Sequence, residues 1–114
     1  MHKLIVKTKT WIEDLDKEVI FSKGKRELLE YINKSGSILK ASKLMGITYK
    51  KAWLHLQDLQ NATNEELVTT KKGRSKTSGT QLTTKAIELL KKYTILEQDI
   101  QKYADQRFKE LFEY

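Results

Sequence analysis

The chain has 114 residues, 39% hydrophobic and 32% charged, a formal net charge of +7, and neither cysteine nor proline. This is enough for one small domain with a modest core and too apolar for a disordered segment. The missing cysteine excludes disulfides and thiolate chemistry, no apolar run has the length of a membrane span, and His2 to Val6 holds no signal-peptide core, so a cytoplasmic location is expected.

Residues 3–13 alternate loosely, with Leu4, Val6, Thr8, Thr10 and Ile12 on one side and mostly lysine on the other, a strand pattern. Asp14 and Asp16 supply a turn and residues 18–21 a returning strand, which predicts an N-terminal β-hairpin. Residues 24–34 read as a helix with Leu28, Leu29 and Ile32 on one face, broken by Ser35-Gly36. Ser37 is placed to cap a second helix, because its hydroxyl can accept from a free backbone N–H. That helix runs to about Met45, with Ile38, Ala41 and Leu44/Met45 inward. Gly46 marks a tight turn. Thr48 then caps a third helix to about Gln60, with Tyr49, Ala52, Trp53, Leu56 and Leu59 on its buried face. Two short strands are expected over 67–70 and 80–83, joined by Lys71-Lys72-Gly73-Arg74-Ser75-Lys76-Thr77-Ser78-Gly79. From Thr84 to Phe112 one unbroken helix carries the stripe Ala86, Leu89, Tyr93, Leu96, Ile100, Tyr103/Ala104, Phe108 and Leu111. The order ββ-α-α-α-ββ-α predicts a mainly α fold with a small β component (α+β). Residues 1–83 are expected to form a winged helix-turn-helix domain, with the helix-turn-helix over 37–60 and the wing over 66–83. Residues 84–114 are expected to form a long C-terminal helix of the same domain, its dimerisation element.

The excess charge is local. Residues 34–85 carry ten Lys/Arg against Asp58, Glu65 and Glu66, a balance equal to the whole net charge, while the rest of the chain is neutral. Charge concentrated on one unit makes a local field suited to a polyanion. In a helix-turn-helix the second helix enters the major groove with its N-terminal end toward the bases. Here that end presents Thr48, Lys50 and Lys51, with Leu54, His55 and Asp58 further along. Lysine can donate to guanine or to phosphate, and the Tyr49 hydroxyl can reach a phosphate while its ring packs inward. Ser37 joins the candidate contacts. In the loop, Lys71, Lys72, Arg74 and Lys76 alternate with small residues that let backbone approach phosphates. Solvated lysines on a helical hairpin, or a solvated loop tip, would account for either feature alone; their adjacency makes the loop a wing.

The long helix cannot bury its far end against so small a domain. Leu89, Tyr93, Leu96, Ile100, Tyr103, Phe108 and Leu111 are therefore expected to meet a second copy, the alternative being a helix folded back on its own core. Its charges balance, so it is not a DNA contact. Catalysis has no support: His2 and His55 are the only histidines, no cluster has metal-ligand spacing, no phosphate-cradling glycine motif is present, and no cofactor is expected. Trp11, Trp53 and Tyr49 read as core rather than base-stacking platforms.

Gly36-Ser37-Ile38, followed by a small-residue helix and Gly46-Ile47-Thr48-Tyr49-Lys50-Lys51-Ala52-Trp53, resembles the N-terminal domain of the ModE family of molybdate-responsive transcriptional regulators. Leu67-Val68, the basic loop and Leu82-Thr83 fall where that family has its wing, so the resemblance covers about residues 3–112. It implies a LysR-type winged helix, not an enzyme, that dimerises and binds duplex operator DNA. Thr48, Tyr49, Lys50 and Lys51 would be the groove candidates and Lys72, Arg74 and Lys76 the wing candidates. Two departures stand out. The family carries a C-terminal molybdate-binding region, for which a chain ending at Tyr114 has no room, so molybdate is not expected and a free-standing regulator is favoured over an excised domain. The family wing is often a glycine run, whereas this one is rich in Lys, Ser and Thr. The competing reading is a protein–protein interaction module, or a DNA-binding subunit that needs a partner for sensing and specificity.

Overall fold

Side-chain hydroxyls start the helices. In the computed structural model, which describes residues 3–71 and 79–112, Ser22 caps α1 (Lys23–Ser35), Ser37 caps α2 (Ile38–Met45) and Thr48 caps α3 (Tyr49–Thr63). Each hydroxyl accepts from a backbone N–H of the first turn, which would otherwise lack a partner. Left-handed residues stop the same helices, Gly36 and Gly46 at φ 69° and Asn64 at φ 53°. Thr83 starts α4 (Thr84–Phe112), its hydroxyl accepting from Ala86 N–H while donating to the Glu66 carbonyl. Two antiparallel pairs complete the fold: β1 (Ile12–Glu13) with β2 (Val19–Phe21), and β3 (Val68–Lys71) with β4 (Gly79–Leu82). Element order and α+β winged-helix class are those read from the sequence.

One core joins these elements. Leu28, Leu29 and Ile32 of α1 pack with Ala41 of α2, with Ala52, Leu56 and Leu59 of α3, and with Leu67, Ala86, Tyr93 and Phe21. The Phe21 and Tyr93 rings meet edge-on at 4.4 Å, which fastens the N-terminal hairpin to α4. Full burial of each leucine or isoleucine supplies about 1.5–3 kcal/mol.

Several expectations are corrected. Residues 3–11 form no strand. A strand needs a partner, and β2 is three residues long, enough to pair only Ile12–Glu13. The segment lies along α4 instead: Gln101 Nε2 donates to the Val6 carbonyl, Thr8 N–H donates to Gln101 Oε1, and the Tyr93 hydroxyl donates to the Thr10 carbonyl. Tyr49 and Trp53, expected inward, are 49% and 43% exposed, and Trp11 is also exposed. The buried stripe of α3 is centred on Ala52, Leu56 and Leu59, which leaves the two aromatics on its edge. Leu44 is likewise turned out of α2, whose inward face is Ile38, Ala41, Ser42 and Met45. Ser42 tolerates burial because its hydroxyl donates to the Leu39 carbonyl at 2.7 Å. Helix α3 runs three residues past its expected end, to Thr63.

Candidate nucleic-acid interface

The turn between α2 and α3 is short because its backbone closes on itself. Gly46 N–H donates to the Lys43 carbonyl and Ile47 N–H to the Ser42 carbonyl, and the Thr48 cap follows at once. The first turn of α3 is thereby turned outward, with Thr48, Tyr49, Lys50 and Lys51 all exposed. Among the described residues no carboxylate forms a salt bridge with Lys50 or Lys51. Leu54 follows on the same open face. Ser37 is part-exposed, its hydroxyl engaged by Lys40 N–H.

His55 lies on the flank of α3 rather than at the centre of that face. Burial pushes its pKa below the usual imidazole value, the charges of Lys25 and Lys51 push the same way, and Asp58 opposes them. Lys25, which its sequence context does not single out, is the reason for part of this. It is 8% exposed and its ammonium donates to the Val19 carbonyl at 2.8 Å. Burial draws its pKa down while Asp58 and Glu18 hold it up.

The wing is held on three sides. Leu67 N–H donates to Gln60 Oε1 at the end of α3, Thr83 N–H donates to the Leu67 carbonyl, and Thr80 N–H donates to the Gly36 carbonyl. Lys71 closes β3, opposite Gly79. The wing candidates Lys72, Arg74 and Lys76, and also His2, lie outside the described residues.

Helix α4 has two unlike halves. Its first half is anchored by Ala86 and Tyr93, with Leu89 partly buried beside them, and Arg26 grips Glu97 at 2.7 Å. Tyr93 is thus committed to the chain's own core. Beyond it Leu96, Tyr103 (64% exposed) and Leu111 are open, Ile100 and Phe108 are half-buried, and Phe108 stacks on Phe112. No helix among the described residues is long and apolar enough to cross a membrane, and no group of three or more His, Asp or Glu among them is placed to hold a metal.

No protein-family model matches the chain. It is 34% identical over 92 residues to the molybdenum transport protein ModE of Azotobacter vinelandii, covering 81% of this chain and 34% of that protein. It is 37% identical over 81 residues to the transcriptional regulator ModE of Haemophilus influenzae, covering 70% and 32%. The chain therefore spans about a third of the length of these curated relatives. Among solved structures, the DNA-binding domain of CbnR in a complex with DNA has TM-score 0.55 at 16% identity, covering 74% of this chain and 92% of that one. Full-length CbnR complexed with its target DNA has TM-score 0.56 at 17% identity, covering 75% and 28%. At such identities the likeness to the CbnR structures speaks for the fold, a winged helix-turn-helix, and over the third of their length that it spans the chain is similar in sequence to the ModE proteins.

Proposed function

We propose that the chain is the DNA-binding unit of a cytoplasmic transcription regulator that acts as a homodimer on duplex DNA. The observation that carries this reading is the open, cationic first turn of α3, with Lys50 and Lys51 unengaged by carboxylates among the described residues. A major groove about 12 Å wide admits such a helix. Lys50 and Lys51 would donate to guanine or phosphate, Thr48 would touch a base edge, Leu54 would meet a thymine methyl, and the exposed Tyr49 hydroxyl would reach a phosphate. Ser37 and the wing residues Lys71, Lys72, Arg74 and Lys76 are assigned to backbone or minor groove, and His55 to the edge of the contact. Leu96, Ile100, Tyr103, Phe108 and Leu111, with Leu89 at their near end, are assigned to the partner copy, so residues 1–83 bind and 84–114 dimerise. No molybdate site and no cofactor is assigned to this chain.

The ModE names of the relatives and the DNA in the CbnR complexes support the reading. A titration of duplex DNA against salt tests it. If six or so cations per dimer meet phosphates, affinity falls by roughly 10³-fold between 50 and 200 mM salt. Absence of duplex binding together with salt-insensitive capture of a protein partner would instead favour the interaction module.

A further inference from the structure

A two-stranded hairpin four residues long on each side is marginal by itself, so its direction depends on what else holds it. Two of the three ties on β3–β4 lie at its base, through Gln60 and Thr83. The third lies at the other end. Gly79 faces Lys71 in the last described rung of the ladder, and the next residue, Thr80, is buried and donates its N–H to the Gly36 carbonyl at 2.8 Å. Gly36 ends α1 and immediately precedes Ser37, the cap of α2. The approach leaves no space for a side chain: a Cβ on Gly79 would stand 2.7 Å from the Gly36 oxygen. The φ of Gly79, 150°, is also one that L side chains rarely adopt. The oxygen cannot easily yield, because its residue joins two capped helices.

We propose that Gly79 is a positioning residue for DNA binding. By letting β4 rest on the Gly36 carbonyl it locks strands β3 and β4 to the α1–α2 turn, so the base from which the wing cations are presented keeps a fixed place beside the helix-turn-helix. The ordering of these two strands is then completed on folding rather than on binding. The inference rests on the DNA-binding reading above.

The test compares wild-type protein with Gly79→Ala on an operator-like and a random duplex from 50 to 200 mM salt, with solution mass and thermal melting recorded. The variant is expected to lose about tenfold in affinity on both duplexes. Its slope of log K against log salt should be shallower by about 1 for each phosphate that the wing no longer neutralises. In a background carrying Lys72→Gln, Arg74→Gln and Lys76→Gln, Gly79→Ala should add no further loss. A folding defect alone would move the melting temperature and leave the salt slope unchanged. An unchanged slope, or an equal further loss without the wing cations, overturns the proposal. If Gly79→Ala does not fold, amide hydrogen exchange in the wild type decides. A Thr80 N–H as slow as the buried amides of α2 supports the lock, and one as fast as an open hairpin amide overturns it. Wild-type protein that binds no duplex overturns the DNA-binding reading, and this inference with it.

Discussion

Helices α3 and α4 both leave large apolar side chains in solvent, but in different company. On α3, Tyr49, Trp53 and Leu54 share their surface with Lys50 and Lys51, and the unit α2–α3 sets Lys40, Lys43, Lys50 and Lys51 against Asp58 alone. On α4, Leu96, Tyr103 and Leu111 stand among six basic and five acidic residues, some already matched along the helix, as Arg107 is with Glu110. Exposure of a hydrophobic residue says only that something is uncovered. The charge around it says what kind of cover fits: a polyanion for α3, and for α4 a neutral surface such as a second copy of itself.

The largest expected effect comes from removing the floor beneath α3. Leu56 is 1% exposed, and Leu56→Ala should cost about 2–5 kcal/mol in urea unfolding, with DNA affinity falling as the helix loses its seat. A loss under about 1 kcal/mol would mean that α3 is not held by this core. Next is the surface of α3 itself. Lys50→Ala should lose about 1–3 kcal/mol on the preferred duplex and much less on random sequence. Equal weakening on both would remove Lys50 from base readout. The mirror experiment on α4 is Leu96→Glu with Tyr103→Glu. Sedimentation should show half the wild-type mass, while the unfolding free energy of the protomer shifts by no more than about 0.5 kcal/mol, because both side chains are exposed within it. An unchanged mass would take the partner copy off this face.

The smallest effect is a pH dependence confined to the α3 side. His55 titrates below the usual imidazole value, first because of burial and then because of Lys25 and Lys51. The folded state therefore binds its proton less readily than the unfolded chain. Stability should decline as pH falls below about 6.5, the unfolded value, and level off beneath the folded value. His55→Gln should flatten that decline. A decline that persists unaltered in the variant would assign it to other groups.

The frame was legible because it rests on local rules. Ser37 and Thr48 declare helix starts by their hydroxyls, Gly36 and Gly46 declare stops by taking φ 69°, and an uninterrupted apolar stripe declares α4. What escaped the sequence depends on partners far away in the chain. Alternation over residues 3–11 looks like a strand, but its hydrogen bonds go to Tyr93 and Gln101, more than eighty residues on. Tyr49 and Trp53 lie four apart like core residues, yet Ala52 and Leu56 occupy the centre of the face. Tyr93 fits the stripe assigned to a partner, but Phe21 claims it. Lys25 is hidden behind a charge that normally means surface, and only the nearby Val19 carbonyl makes its burial tolerable. In the candidate site, the outward lysines of α3 were legible, whereas the approach of Gly79 to Gly36 joins residues forty-three apart that no local pattern connects.

Selection from a random double-stranded DNA library at near-physiological salt, with the solution mass of the protein recorded alongside, bears on DNA reading and on dimerisation at once. A dimer should recover a two-fold symmetric motif whose half-sites lie one or two helical turns apart, about 34 Å per turn. A monomer, or recovery of arbitrary duplex that 200 mM salt releases, would contradict a homodimer that reads sequence through α3.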